Sequence, residues 1–110
     1  SSLMQPAAER FGERLASLAL RPPQIRFHSP VDAASHADPD DIRHLLQRQL
    51  ASPVRWTDLV RALLADGVTA LVECGPGKVL TSLNRRIDKR PDLQCSALED
   101  ATAFPPGETP

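Results

Sequence analysis

Ala70-Leu71-Val72-Glu73-Cys74-Gly75-Pro76-Gly77-Lys78-Val79-Leu80 is the stretch on which the fold turns. It opens as a short apolar run after Gly67, which suits a buried strand, turns at Gly-Pro-Gly, and resumes with helical spacing at Val79, Leu80, Leu83 and Ile87. Strand, glycine turn and helix make an α/β unit whose turn lies at the carboxyl end of a sheet, where such folds place their sites. Gly75 and Gly77 supply backbone freedom there, and Pro76 fixes φ between them. The first amides of the following helix favour negative charge. A nucleotide reading nevertheless fails on spacing. Val72 stands where a Walker loop needs its first glycine, Val79 follows the lysine in place of Ser or Thr, and no third glycine completes a dinucleotide fingerprint at Leu80.

Outward from this turn, the chain alternates helices and short extended runs. On the amino-terminal side, Trp56, Leu59, Val60, Leu63 and Leu64 predict a helix that starts at Ser52-Pro53 and closes on Gly67. Asp38-Pro39-Asp40-Asp41 predicts another start, with a capping aspartate, proline in the first turn and acids beside it. Ile42, Leu45, Leu46 and Leu50 form that helix's apolar stripe, and Gln49 falls on it. A polar side chain on an apolar stripe needs hydrogen-bond partners, so Gln49 is either satisfied at the core's rim or placed for function.

Asp32 to Ala37 reads as a loop of small and polar residues, and Gln24 to Ser29 as a strand. Leu3 to Leu20 reads as an amphipathic helix on Met4, Ala8, Phe11, Leu15 and Leu18, with Glu9, Arg10, Glu13 and Arg14 solvated. On the carboxyl side, Arg85, Arg86, Lys89 and Arg90 close the last helix, Pro91 stops it, and Leu93 to Leu98 is the last strand. The expected fold class is α/β, with helices on a mostly parallel sheet. The expected organisation is a domain portion over residues 1–98 and a flexible tail over 99–110.

Composition sets the outer limits. A chain of 110 residues is one domain or a piece of one, and 41% apolar with 25% charged residues is ordinary for a soluble globular protein. A net charge of −1 argues against nucleic acid as partner. No run has the length of a membrane span and no signal peptide opens the chain, so a cytoplasmic location is expected. Cys74 and Cys95 lack any metal spacing and are expected to be reduced, buried thiols. His36 and His44 are expected to be exposed, and His28 to lie in a strand. No metal set and no nucleophile elbow of the G-x-S-x-G type is present, and Phe27-His28-Ser29-Pro30 reads as structural.

Gln49-Leu50-Ala51-Ser52-Pro53-Val54-Arg55-Trp56 and Glu73-Cys74-Gly75-Pro76-Gly77-Lys78-Val79-Leu80-Thr81 resemble the malonyl-CoA:acyl-carrier-protein transacylases of bacterial fatty-acid synthesis. Ser2-Leu3-Met4-Gln5-Pro6-Ala7-Ala8 and Val31-Asp32-Ala33 fit the same pattern in the same order. Polyketide acyltransferase domains are similar in the same places; Asn84-Arg85-Arg86-Ile87 favours the fatty-acid enzyme.

The resemblance implies an α/β-hydrolase-like large domain of which this chain is the C-terminal third. In that family a serine takes the malonyl group from coenzyme A as an ester and passes it to the phosphopantetheine thiol of acyl carrier protein. A histidine serves as base and acid, backbone amides hold the oxyanion, and an arginine pairs with the malonyl carboxylate. Serine, arginine and oxyanion donors would lie upstream, with the histidine immediately before Ser1. Only Gln49 is carried over, its backbone carbonyl accepting a hydrogen bond from the histidine ring as an aspartate does in a triad.

By the same resemblance malonyl-CoA is a substrate, no cofactor is bound, and the partners are acyl carrier protein and the upstream part of the enzyme. Gly75, Pro76, Gly77 and Val79 are candidates for the substrate cleft. Arg85, Arg86, Lys89 and Arg90 are either a favourable helix-dipole arrangement or a carrier-protein docking site. A non-catalytic module that binds carrier protein through that basic helix end is the reading from another class.

Overall fold

The computed structural model describes residues 2–100. The chain divides into two units, Ser1–Ala62 and Leu63–Pro110.

In the first unit a 3-10 turn (Ser2–Met4) leads into α1 (Gln5–Ala16), with Pro6 in its first turn, where no amide is missed. The helix is shorter than the predicted Leu3 to Leu20. Ala8 and Leu15 from the middle of the stripe are buried, whereas Met4 and Leu18, beyond the helical rotation, are exposed.

The strand expected from Gln24 shrinks to β1 (Phe27–Ser29), and Ile25 is exposed. The segment expected as a loop contains β2 (Ala34–His36), antiparallel to β1, with Ser29 opposite Ala34. Local features build this hairpin. The Ser29 carbonyl accepts from the Ala33 amide at 2.8 Å, Ala33 takes a φ of 57°, and the Asp32 carboxylate accepts from the Ala34 amide at 3.1 Å. Ala34 and Ser35 carry no apolar alternation, so only pairing with β1 makes them a strand.

The Asp38 start holds as read: its carboxylate accepts from the amides of Asp40 at 2.8 Å and Asp41 at 3.3 Å, and α2 runs Pro39–Gln49. The following helix, α3 (Trp56–Ala65), begins later than Ser52-Pro53 predicts. The Arg55 amide donates to the Pro30 carbonyl at 2.8 Å, and the Arg55 carbonyl then accepts the first bond of α3, from Leu59 at 2.9 Å. The boundary between the units falls within α3.

The second unit takes the chain out of α3 through Gly67. Its φ is 97°, its amide reaches the Leu64 carbonyl, and the Val68 amide reaches that of Leu63, a paired closure that a left-handed glycine permits. β3 (Ala70–Glu73), α4 (Val79–Ile87) and β4 (Gln94–Ala97) follow, with β3 and β4 parallel and α4 packed on both. The strand–turn–helix reading of residues 70–80 stands, and the α/β class with it. The strands do not form one sheet, however: among the described residues β1–β2 and β3–β4 are separate pairs. Glu99 and Asp100, expected at the start of a tail, bond to the turn before α4; the rest of that expected tail lies outside the described residues.

Candidate functional site

The turn between β3 and α4 needs both glycines, with φ of 125° at Gly75 and 86° at Gly77. No side chain of the cap residue Lys78 closes the first turn of α4. Glu73, at the end of β3, does so instead. Its Oε1 accepts from the Thr81 amide at 2.8 Å and from Thr81 Oγ1 at 2.9 Å. Bonding to the Thr81 amide, helped by its hydroxyl and the Leu80 amide, holds the Glu73 carboxyl below its ordinary range against a smaller desolvation effect.

A second carboxylate, that of Glu99, accepts from the Gly77 amide at 3.0 Å. Lys78 pairs with Asp100 at 2.9 Å and, more loosely, with Glu99 at 4.0 Å; the hydrogen bond to Asp100 raises the Lys78 pKa. The charge-favouring amides at this helix start are therefore occupied by the chain's own acids. Gly75, Pro76, Gly77 and Val79 surround them on an exposed rim, with Val79 71% exposed.

The cysteines depart from expectation. Cys74 is exposed, because it lies one residue past the last paired position of β3. Cys95, within β4, is partly covered, and that burial pushes its thiol pKa up.

At the other end of α4 the basic residues divide. Arg85 Nη2 donates to the Cys95 carbonyl at 2.8 Å, tying the helix to β4. Arg90 folds onto Asp88, with Nε and Nη2 contacts of 3.0 and 2.8 Å. Arg86 and Lys89 are exposed and have no acidic partner among the described residues.

In the first unit Gln49 is the last residue of α2 and is half-buried, as its place on the stripe predicts. The Leu50 amide turns back to the Gln47 carbonyl at 3.3 Å, and the Ala51 amide to that of Arg48 at 3.1 Å. No described residue donates to the Gln49 carbonyl, one of the acceptors that any helix end leaves over. Gln5 and Ala8 of α1, with Gln47, Arg48, Ala51 and Ser52, line a cleft of about 220 Å³ beside this helix end.

A second cleft, about 300 Å³, is lined by Asp32, His36, Asp41, His44, Leu45 and Arg48. His36, expected to be exposed, is half-buried in β2 with Nε2 2.8 Å from Asp32 Oδ2. Burial pushes the Asp32 carboxyl up, but hydrogen bonds from His36 and the Ala34 amide outweigh it and leave the pKa lowered. His44 is exposed, as expected, and His28 lies in β1. Among the described residues no cluster of His, Cys, Asp or Glu could hold a metal ion.

Two further residues of the first unit, Gln47 and Arg43, carry little signal in the sequence. Gln47 lies over Gly12, where a side chain on α1 would collide with it. An isolated glycine inside a helical pattern was the available signal. Arg43 donates to main-chain carbonyls at the end of α1; its only trace in the sequence is the spacing from Asp40.

The malonyl CoA-acyl carrier protein transacylase of Haemophilus influenzae is 42% identical over 103 residues, which are 94% of this chain and 32% of the relative. An acyl carrier protein S-malonyltransferase from Vibrio cholerae superposes with a TM-score of 0.79 at 45% identity, covering 93% of this chain and 33% of that one. The chain spans about a third of the length of these relatives. A malonyl transacylase solved with a type II polyketide acyl-carrier protein is also similar, at 37% identity and a TM-score of 0.77, covering 92% of this chain and 32% of that one. No protein-family model matches the chain.

The transacylase-like segments of the first unit meet in space. The start of α1 and the end of α2 share the smaller cleft. Arg55, in the segment after Gln49, bonds the hairpin turn through its amide to the Pro30 carbonyl and through Nη1 to that of Asp32, at 2.8 and 3.4 Å. Transacylase-like motifs far apart in the chain thus support one another's backbone.

Proposed function

We propose that this chain forms the C-terminal part of an acyltransferase that moves a malonyl group from coenzyme A to the phosphopantetheine thiol of acyl carrier protein through a serine ester, in fatty-acid biosynthesis. The observation that carries this reading is the 42–45% identity to malonyl transacylases along more than nine-tenths of the chain, with a backbone that superposes on theirs. Within that enzyme the Gln49 carbonyl accepts a hydrogen bond from the histidine that the family places just before Ser1. Support comes from its position as a leftover acceptor at a helix end beside the start of α1. Malonyl-CoA is the substrate, no cofactor is bound, and Gly75, Pro76, Gly77 and Val79 rim the substrate cleft. No described helix is long and apolar enough to cross a membrane; the location proposed with this activity is the cytoplasm.

Carrier protein docks on the basic end of α4. With Arg85 and Arg90 engaged internally, Arg86 and Lys89 are the cations that meet it. The similarity to a transacylase solved with a polyketide carrier favours a second reading, in which the acceptor is a polyketide carrier protein. The deciding experiment assays the full-length enzyme with malonyl-CoA and each carrier in the phosphopantetheinylated form. Ping-pong malonyl transfer to the fatty-acid carrier is expected. Preference for the polyketide carrier selects the second reading, and no transfer to either carrier refutes both.

A further inference from the structure

Contacts between α1 and α2 run in opposite order along the two helices. The Leu15 carbonyl meets Arg43, Gly12 meets Gln47, and Ala8 shares a cleft with Ala51, so the helices are antiparallel. The two halves of this contact are held differently. At the end of α1, Arg43 donates through Nε to the Leu15 carbonyl at 3.3 Å and through Nη2 to that of Leu18 at 2.8 Å, while Nη1 bonds Asp40 Oδ1. A guanidinium is planar and holds its donors in a fixed fork, so it sets both the distance and the rotation of α1 against α2. In the middle, Gly12 lets the Gln47 side chain lie directly on the α1 backbone. At the far end, where Gln5 and Ala8 face Ala51 and Ser52, there is a cleft in place of a tight contact.

We infer that Arg43 is a positioning residue: by clamping the end of α1 to the start of α2, it sets where the start of α1 stands relative to the Gln49 carbonyl. The inference rests on the reading above, in which that carbonyl orients a histidine joined to the start of α1. A rigid helix carries a displacement at one end to the other. A shift on the order of 1 Å between a base and its acceptor is enough to cost about a hundredfold in rate.

The test uses the full-length enzyme and its first half-reaction, acylation by malonyl-CoA. Arg43→Met removes the donors and keeps the apolar stem. The expected result is a fall in kcat of about tenfold or more with KM for malonyl-CoA unchanged. A carbonyl that accepts from an imidazole ring favours the protonated ring, so loosening that bond lowers the histidine pKa. The acid limb of kcat/KM therefore moves to lower pH. Arg43→Lys keeps the charge and can reach one carbonyl; it should show the same changes in smaller measure, and it serves if the Met variant does not fold.

A folded variant with a lower melting temperature but the parent kcat and pH profile overturns the inference and leaves the clamp a structural one. Gln49→Pro separates the two levels. If it too leaves kcat and the pH profile unchanged, the carbonyl reading falls and the inference with it. If it abolishes acylation while both Arg43 variants are silent, only the inference falls.

Discussion

The carboxylate of Glu73 receives both hydrogen bonds that Thr81 can donate, from its amide at 2.8 Å and its hydroxyl at 2.9 Å. One acid at the end of β3 thus caps α4 and satisfies a hydroxyl that is almost wholly buried. Thr81 would otherwise carry an unpaired buried group.

This relationship makes stability depend on pH in a defined direction. The folded carboxyl lies below its ordinary value of 4.5, so its contribution is fully present above that value and is lost as pH falls through the folded pKa. Glu73→Gln should lower the melting temperature at neutral pH. The gap from the parent should close in melts recorded progressively below pH 4.5.

At the other end of α4, charge reversal at Arg86 and Lys89 should slow malonyl transfer to carrier protein about tenfold at low ionic strength, with the deficit shrinking as salt is added. Acylation by malonyl-CoA should be untouched. Equal losses in the two half-reactions would remove the docking role. Arg85→Ala should behave differently and lower stability, because it frees the Cys95 carbonyl of its partner.

Gln49→Ala should retain most of the activity, since the main-chain carbonyl survives. Gln49→Pro should abolish it, because a proline there removes an amide from the last turn of α2 and clashes with the preceding one, a cost of about 3 kcal/mol. If alanine proved as damaging as loss of the histidine, the side chain would be the acting group.

Ala33 sits at a φ of 57°, where an L-residue loses about 1–2 kcal/mol. Glycine relieves that strain but adds about 0.5–1 kcal/mol of unfolded-state freedom. Ala33→Gly in the full-length enzyme should therefore stabilise by about 0.5 kcal/mol in denaturant titrations. A loss of stability would show that the alanine methyl makes contacts worth more than the strain.

Residues 1–110 expressed alone should neither transfer malonyl groups nor melt cooperatively as a monomer. The described strands form only two-stranded pairs, which are marginal in water without further strands or packing. Leu3, Ile25 and Val79 are more than two-thirds exposed, a liability to association. A cooperative melt from a monomer would show that this portion folds on its own.

What the sequence determined by itself is local. The Asp38 cap, the Gly67 closure and the Gly75–Gly77 turn each depend on residues within one or two turns of chain. Their φ angles and first-turn hydrogen bonds follow from side chains a few positions away. The amphipathic stripes through Ala8, Leu15 and Leu45 were legible for the same reason.

Tertiary structure decided the rest. β2 has no strand pattern of its own and exists because β1 offers it a ladder. α3 starts at Trp56 and not at Ser52 because the Arg55 amide is held by Pro30, 25 positions away in the chain. Of the basic residues on and after α4, the spacing could not say which were free. The Cys95 carbonyl takes Arg85, and Asp88 takes Arg90. At the candidate site, the sequence placed Gln49 on a helix stripe. The antiparallel meeting of α1 with α2, through Gly12, Gln47 and Arg43, set a cleft beside it. Hydrogen bonds of fixed length act on whichever groups the fold brings within reach, and that proximity is written in no single stretch of the chain.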